Sequence, residues 1–158
     1  MKQTTLCYIE KDEKYLMLHR VKKENDMNKD KWIGIGGHFE PGEDAQACMK
    51  REIKEETGLT PLSYRYRGIV TFISDTYSPE QMHLITIDKF CGTITECDEG
   101  NLEWIKKDDL ISLPMWEGDK IFLNLIANPD CKFFELTLSY QGEKLTKAIL
   151  DGTDITYK

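Results

Sequence analysis

The chain has 158 residues, 40% of them hydrophobic, with a formal net charge of -7 and a pI near 5.0. This length fits one globular domain that needs no covalent cross-links, and we expect a single core without a linker. The acidic balance excludes the basic surface that a nucleic-acid polymer requires. A free nucleotide remains compatible with it, because a metal ion can supply positive charge.

The cysteines stand at irregular spacings and include no C-x-x-C pair: Cys7, Cys48, Cys91, Cys97 and Cys131. This odd set argues against a disulfide framework or a zinc site and favours a reducing compartment. The N-terminal segment MKQTTLCYIEKDEKY lacks the apolar centre of a signal peptide. The apolar run IFLNLIA is far shorter than the ~20 residues of a membrane span. We therefore expect a soluble, cytoplasmic protein.

The first third of the chain predicts a hairpin, a loop, a short strand and a helix. The segments TTLCYIE and KYLMLHR, separated by KDEK, predict two apolar strands joined by a turn. The polar segment VKKENDMNKDK predicts a loop, WIGIGG a glycine-rich strand end, and HFEPGED a turn. A helix should then run from about Asp44 to Thr57, because Asp44 suits an N-cap and Gly58 a left-handed C-terminal cap.

The rest of the chain predicts further strands around a second helix. LSYRYRGIVTFIS and MHLITIDKFCGTI have the β-branched and aromatic residues of long strands, joined by DTYSPEQ, and LEWIKK predicts a short strand. GDKIFLNLIANPD has helical spacing and ends at NP. CKFFELTLSYQGEKLTKAILDG predicts a closing hairpin that turns at Gln141 and Gly142. This order predicts one mixed sheet with helices packed on it, an α/β fold.

The predicted first helix has charged residues on its apolar face. At roughly 100° per residue, its apolar residues share one face: Ala45, Cys48, Met49 and Ile53. Glu52, Glu55 and Glu56 fall on that same face. Each like-charge i,i+3 or i,i+4 pair is unfavourable by about 0.2–0.5 kcal/mol on a solvated helix, and the negative helix end adds a similar cost.

Two interpretations of these glutamates stand side by side. An E-x-x-E-E run is commonly a solvated helix face, but here Lys50 and Lys54 already occupy the opposite side. The other interpretation is a divalent cation, since Mg²⁺ is held by carboxylates together with waters and substrate phosphates. The glycines of GIGG and PGE favour the cation, because a backbone carbonyl and a phosphate can approach where no Cβ intervenes.

The same residues reproduce the Nudix box, G-x5-E-x7-R-E-U-x-E-E-x-G-U with U apolar, over residues 37–59. The matching positions are Gly37, Glu43, Arg51, Glu52, Ile53, Glu55, Glu56, Gly58 and Leu59. A chance match at a given start has a probability on the order of 10⁻⁹. The chain therefore resembles the Nudix hydrolase family, and we expect a single Nudix domain over residues 1–158.

The resemblance implies an α/β/α sandwich around a mixed β-sheet. It also implies hydrolysis of a nucleoside diphosphate linked to a further group, with Mg²⁺ or Mn²⁺ as cofactor. Glu52, Glu55 and Glu56 would be metal ligands, helped by the backbone carbonyl of Gly36. Arg51, together with Glu43, would fix the loop and orient the glutamates.

The implied reaction is attack of a metal-activated water on a phosphorus, while a carboxylate takes the proton of that water. Glu52 is the first candidate for this base. Members of the family place the base differently, so Glu55, Glu56 and Glu99 remain alternatives.

Motifs outside the box resemble the MutT-type 8-oxo-dGTP diphosphatases, and among these the MutX-like branch. They are LCYIE, LMLHR, KWIGIGG, CDEGNLEWI and LPMWEGDK. The resemblance implies that Trp116 stacks on the base, Asp119 bonds a purine edge and Phe72 lines the base pocket. Arg20 would reach the nucleotide, and Glu99 would be a further metal ligand. Judged from the residues alone, Trp116 and Phe72 suit a core equally well, and Glu99 suits a turn.

Two positions depart from one branch of these enzymes. Ile33 replaces the asparagine of W-N-G-x-G-G, and Gly118 stands before Asp119 where that branch has consecutive aspartates. The expected function is Mg²⁺-dependent conversion of 8-oxo-dGTP to 8-oxo-dGMP and diphosphate, a nucleotide-pool sanitation step that protects DNA. The alternatives are a Nudix hydrolase of ADP-ribose or dinucleoside polyphosphates, and a non-catalytic nucleotide sensor. We expect a small nucleotide as partner, no nucleic-acid polymer or membrane, and a monomer or homodimer.

Overall fold

A computed structural model describes residues 1–22 and 24–156. The strands of this part are β1 Lys2–Lys11, β2 Lys14–His19, β3 Trp32–Ile33, β4 Thr60–Ser74, β5 Glu80–Cys91, β6 Asn101–Lys106, β7 Phe134–Gln141, β8 Lys144–Leu150 and β9 Thr153–Asp154. The helices are α1 Ala45–Thr57 and α2 Asp119–Ile126, with a 3-10 helix at Lys107–Ser112. The strands and helices predicted from the sequence are confirmed, whereas the 3-10 helix and β9 were not predicted.

One mixed sheet contains all of these strands, in the order β3-β2-β1-β5-β4-β7-β8-β9, with β6 also paired to β2. The predicted first hairpin is confirmed at its turn, where Glu10 pairs with Tyr15 and Lys11 with Lys14. Beyond the turn the two strands separate. β1 then runs parallel to β5, and β2 runs antiparallel to β6. This separation opens the sheet on one side of β1, where the segment after β3 enters.

The sheet lies between the two helices, so the α/β/α sandwich is confirmed. Side chains alternate across a strand, and along β1 Tyr8 packs on the α2 side while Cys7 and Ile9 pack on the α1 side. Met49 and Ile53 of α1 are fully buried in the same cluster as Cys7 and Ile9. The expectation of a single core is wrong, because the sheet divides the buried residues into two hydrophobic clusters.

The ends of α1 follow the local sequence. The Asp44 side chain accepts a hydrogen bond from the Ala47 backbone N–H at 2.9 Å, and Gly58 adopts φ 82°. A left-handed residue of this kind is the usual end of a helix. The expectation that all three glutamates share the buried face needs correction, because the Glu55 side chain is 58% exposed. Glu56 is buried, and only 14% of the Glu52 side chain is exposed.

Two arginines of β4 hold the turn that follows α2. Arg67 donates to the Asn128 carbonyl at 3.0 Å, and Arg65 donates to the Pro129 carbonyl at 2.8 Å. Cations are favourable near the negative end of a helix, where carbonyls lack helical partners. Arg67 is only 4% exposed, whereas Arg65 is exposed. Because α2 begins at Asp119, this anchor also fixes one wall of the cavity described below.

We expect Arg67→Met to lower the free energy of unfolding by about 1–3 kcal/mol, because it removes the hydrogen bonds that the buried guanidinium donates to the Asn128 carbonyl and to the Thr86 hydroxyl. Urea denaturation of Arg67→Met and of Arg65→Met measures the difference. The exposed Arg65 should contribute within about 0.5 kcal/mol. Equal losses of stability in the two variants would contradict the conclusion that the buried Arg67 holds the turn more strongly than the exposed Arg65.

No helix within residues 1–22 and 24–156 is long and apolar enough to cross a membrane.

Candidate active site

The segment after β3 lies between β1 and α1 and bonds to both. On the β1 side, the Ile35 N–H donates to the Cys7 carbonyl at 2.8 Å, and the Gly37 carbonyl accepts from the Thr5 N–H at 3.0 Å. The backbone groups of an extended chain alternate between its two edges. The N–H group of Gly36, which lies between Ile35 and Gly37, therefore points toward α1. The site therefore begins where this segment meets the last turns of α1.

Two backbone groups of the segment contact box residues on α1. The Gly36 N–H donates to Glu56 Oε2 at 3.0 Å, and the His38 carbonyl accepts from Arg51 Nη2 at 3.0 Å. Glycine is required at position 36 because the backbone there lies too close to β1 for a side chain. A Cβ at Gly36 would lie 1.9 Å from the Thr5 carbonyl oxygen. The sequence-based expectation that GIGG brings backbone next to the glutamates is confirmed.

Arg51 holds the loop and the helix together. Its Nε and Nη2 atoms donate to the two carboxylate oxygens of Glu43 at 2.7 and 2.9 Å. Its Nη1 atom donates to Glu52 Oε1 at 2.8 Å and to Glu55 Oε2 at 3.1 Å. A planar guanidinium suits this work because its donors form a rigid fork. These contacts join the loop to the glutamates, and the orienting roles of Arg51 and Glu43 stay predictions.

Glu43 is firmly ionised at this position. The hydrogen bonds from Arg51 and from the Glu40 backbone N–H, the latter at 2.8 Å, lower its pKa to about 2. The carboxylate therefore stays charged and keeps the fork of Arg51 in place at any pH near neutrality.

Three carboxyl groups interact electrostatically at the C-terminal end of α1. Burial, a hydrogen bond to Glu99, and the charges of Glu99 and Glu52 raise the pKa of Glu56 to about 9. Burial also raises the pKa of Glu52, against the opposing effect of Arg51. Arg20 donates to Glu99 Oε2 at 3.0 Å. This end of the site holds more negative charge than its own cations balance, and this charge adds to burial in favouring the protonated form of Glu56.

A cavity of about 550 Å³ brings together most of the predicted site residues. Its lining includes Arg20, Gly36, Arg51, Glu52, Phe72, Glu99, Trp116 and Asp119. Glu56 is buried beside Glu52 and Glu99, while Glu55 lies at the surface. Ile33 also lines the cavity, so its replacement of asparagine changes the cavity wall itself.

Aromatic side chains form the end of the cavity away from the box. Trp116 is only 6% exposed and meets Phe72 and Tyr140 edge-on, with ring centroids 5.5 and 5.0 Å apart. Its indole N–H donates to Asn28 Oδ1 at 2.8 Å, and Lys31 Nζ lies 4.7 Å from its ring centroid. Such geometries favour a fixed indole orientation.

Asp119 begins α2 at the same end of the cavity. It is 7% exposed, and burial raises its pKa to about 7, although the charge of Lys31 acts in the opposite direction. The preceding Gly118 N–H donates to the Tyr140 hydroxyl at 2.7 Å. The cavity thus has a carboxyl group at this end that changes its protonation state near neutral pH.

Sequence reasoning missed several residues of this end. Asp26, Asn28 and Lys31 belong to a segment that the sequence predicted only as a polar loop, and nothing in its composition marks individual positions. Tyr140 could have been found, because the alternation of FELTLSY places it on the same face as Leu136 and Leu138.

The donor set suits a hard divalent cation, because it consists of carboxylate oxygens beside a glycine backbone. Burial, Glu99 and Glu52 raise the pKa of Glu56, and a cation bound beside it would favour the ionised form. In residues 1–22 and 24–156, no group of three or more His, Cys, Asp or Glu side chains forms a ready metal cluster. Arg51 instead engages Glu52 and Glu55.

The fold and this arrangement of glutamates define a class of phosphoric anhydride hydrolase, and comparison with known proteins identifies the family. Residues 2–126 match the NUDIX domain, so the chain belongs to the Nudix family. Members of this family are hydrolases that act on small nucleotides and generally use divalent metal ions.

Three relatives illustrate the similarity. An uncharacterized Nudix hydrolase, YvcI of Bacillus subtilis, is 29% identical over 80% of this chain and 79% of its own length. The oxidized purine nucleoside triphosphate hydrolase of Mus musculus is 30% identical over 66% of this chain and 67% of its own. The crystal structure of a mutator MutT protein from Bacillus halodurans has a TM-score of 0.84 and 27% identity, covering 96% of this chain and 98% of that one.

Proposed function

We propose that this protein is a Mg²⁺-dependent pyrophosphohydrolase of purine nucleoside triphosphates, with 8-oxo-dGTP as its expected substrate and 8-oxo-dGMP and diphosphate as products. Such an activity removes oxidised nucleotides before they enter DNA. The similarity to an oxidized purine nucleoside triphosphate hydrolase and to a MutT protein supports the proposal.

One observation carries the proposal. A single cavity extends from the carboxylates of Glu52 and Glu99 to Trp116 and Asp119. A nucleotide has the matching polarity, with a charged phosphate chain at one end and a flat base with a polar edge at the other. We assign the base to Trp116, Phe72 and Asp119, and the phosphates to the glutamate end, where Arg20 also lies.

A Mg²⁺ or Mn²⁺ ion held by Glu52, Glu56, Glu99 and the Gly36 carbonyl would lower the pKa of the attacking water and neutralise phosphate charge. Glu55 would join these ligands only by leaving Arg51. We assign Glu52 as the general base, because it lines the cavity and keeps one carboxylate oxygen outside its bond to Arg51. Burial raises the pKa of Glu52, which makes it a better proton acceptor.

A nucleotide panel with product identification tests the proposal. With Mg²⁺, we expect kcat/KM for 8-oxo-dGTP to exceed that for dGTP, and we expect diphosphate rather than stepwise phosphate release. Fast cleavage of ADP-ribose or a dinucleoside polyphosphate, with slow and equal cleavage of both guanine nucleotides, would reject the sanitation role. Binding without any hydrolysis, with Mg²⁺ or Mn²⁺ at alkaline pH, would indicate a nucleotide sensor instead.

We further propose that residues 1–158 act as one domain in the cytoplasm. The segment beyond the matched residues 2–126 contributes β7, which pairs in parallel with β4 inside the same sheet. The five cysteines are free thiols, as a reducing compartment requires.

A further inference from the structure

A chain of hydrogen bonds in the loop between β2 and β3 joins the two ends of the cavity. At the base end, the Trp116 indole N–H donates to Asn28 Oδ1 at 2.8 Å. The Asn28 backbone N–H donates to Asp26 Oδ1 at 3.0 Å. Arg20 Nε donates to Asp26 Oδ2 at 2.6 Å, and Arg20 Nη1 donates to Glu99 Oε2 at 3.0 Å.

From this chain we infer that Asp26 is a positioning residue for both ends of the site. It acts on Glu99 through Arg20 and on Trp116 through Asn28. The inference rests on the proposed function, since it assigns Glu99 to the metal and Trp116 to the base. It deepens that function by naming the residue through which the two ends share one geometry.

The contacts of Asp26 suit this role better than a simple loop contact does. Its side chain is 5% exposed, and each carboxylate oxygen has its own donor, one from Arg20 and one from Asn28. Bonds of this charge-assisted kind are short and directional. Asp26 also neutralises Arg20, whose guanidinium would otherwise repel a cation beside Glu99.

Calorimetric titration of two separate ligands tests the inference without turnover. Mn²⁺ is titrated into nucleotide-free protein, and 8-oxo-dGMP is titrated into metal-free protein. We expect Asp26→Asn to weaken each affinity about 10–100-fold, the range seen when residues that orient metal ligands are replaced. Asn28→Ala should weaken the affinity for 8-oxo-dGMP alone, because it removes the acceptor of Trp116 and leaves the Asp26–Arg20–Glu99 contacts intact.

Asp30→Asn is the matched control. Asp30 lies exposed in the same loop at φ 64°, a conformation that asparagine adopts readily. This variant should bind both ligands as the unsubstituted protein does. Thermal unfolding of all variants, followed by circular dichroism, establishes that each one is folded.

Each result of these titrations either supports or overturns the positioning role of Asp26. Unchanged binding of either ligand by folded Asp26→Asn overturns the inference and leaves the proposed function standing. If the unsubstituted protein binds neither ligand, the proposed function is overturned, and the inference with it. If Asp26→Asn does not fold, Arg20→Lys should weaken Mn²⁺ binding, because lysine keeps the charge but loses the fork. Unchanged Mn²⁺ binding by Arg20→Lys, or unchanged nucleotide binding by Asn28→Ala, then overturns the inference.

Discussion

Glu56→Gln should lower kcat by about 10²–10³-fold, the loss that follows removal of one preorganised electrostatic contact to the transition state. The same substitution should stabilise the metal-free protein above pH 5. These opposite effects distinguish a buried ligand from a residue that simply supports the fold, since loss of a structural residue lowers stability together with activity.

The stabilisation follows from the surroundings of Glu56. The carboxyl is buried beside Glu99 and Glu52, and its pKa is raised to about 9. At pH 7 the metal-free protein therefore holds this group protonated. A glutamine has the same shape as a protonated glutamate. Its oxygen can accept from the Gly36 N–H, and its amide can donate to Glu99, as the carboxyl does.

The direction of the pH dependence can be worked out from the two states. The Glu56 carboxyl loses its proton near pH 4.5 in the unfolded chain and near pH 9 in the folded protein. The unfolded state therefore gains stability relative to the folded one as the pH rises from about 4.5 to about 9. The gain is on the order of a few kcal/mol, since one pKa unit corresponds to about 1.4 kcal/mol. Glu56→Gln removes this dependence.

Urea denaturation of metal-free protein at pH 5, 7 and 9, with and without added Mg²⁺, measures these effects. Glu135→Gln, at an exposed position on β7, is the control and should change neither kcat nor the pH profile. Added Mg²⁺ should stabilise the unsubstituted protein more than Glu56→Gln. A Glu56→Gln variant that is fully active, or less stable than the unsubstituted protein at pH 9, would contradict the assignment.

The strengths of the sequence prediction lie where the signals are local. The caps of α1 follow from Asp44 and Gly58 alone, and the box places Arg51 and its glutamates on one helix. Strand pairings between segments that are distant in the sequence cannot be predicted from such local signals. Nothing in TTLCYIE or KYLMLHR specifies that the two strands separate after two residue pairs, because their partners in β5 and β6 lie about 80 to 90 residues away.

The same limit applies to the site. A helical projection places Glu55 with Glu52 and Glu56, but it does not show which part of that face the sheet and the loop cover, and Glu55 is exposed. Asp26 stands in VKKENDMNKDK among other polar residues. Only the folded chain shows that Asp26 contacts Arg20 while its exposed neighbour Asp30 can serve as a control.

Asp119→Asn is the second substitution with a large expected effect, and it acts at the other end of the cavity. Its carboxyl is 7% exposed, and burial raises its pKa from 3.8 to about 7. The folded protein holds this proton to about pH 7, whereas the unfolded chain releases it near pH 4. Stability should therefore fall as the pH rises through this interval, by on the order of 4 kcal/mol in total.

Asp119→Asn should remove this contribution to the fall, leaving that of Glu56, and should unfold at higher urea concentration than the unsubstituted protein at pH 8. Because a hydrogen bond to a charged group contributes about 1.5–3 kcal/mol, the variant should also lose about 10–100-fold in kcat/KM for 8-oxo-dGTP at that pH. Asp88→Asn, at an exposed position on β5, should change neither quantity. An Asp119→Asn variant whose stability falls between pH 4 and pH 7 as steeply as that of the unsubstituted protein would contradict a raised pKa of Asp119. Unchanged kcat/KM would show that the base is bound elsewhere. If both substitutions have the expected effects, each end of the cavity contains a buried carboxyl group that lowers stability and contributes to binding or turnover of the substrate.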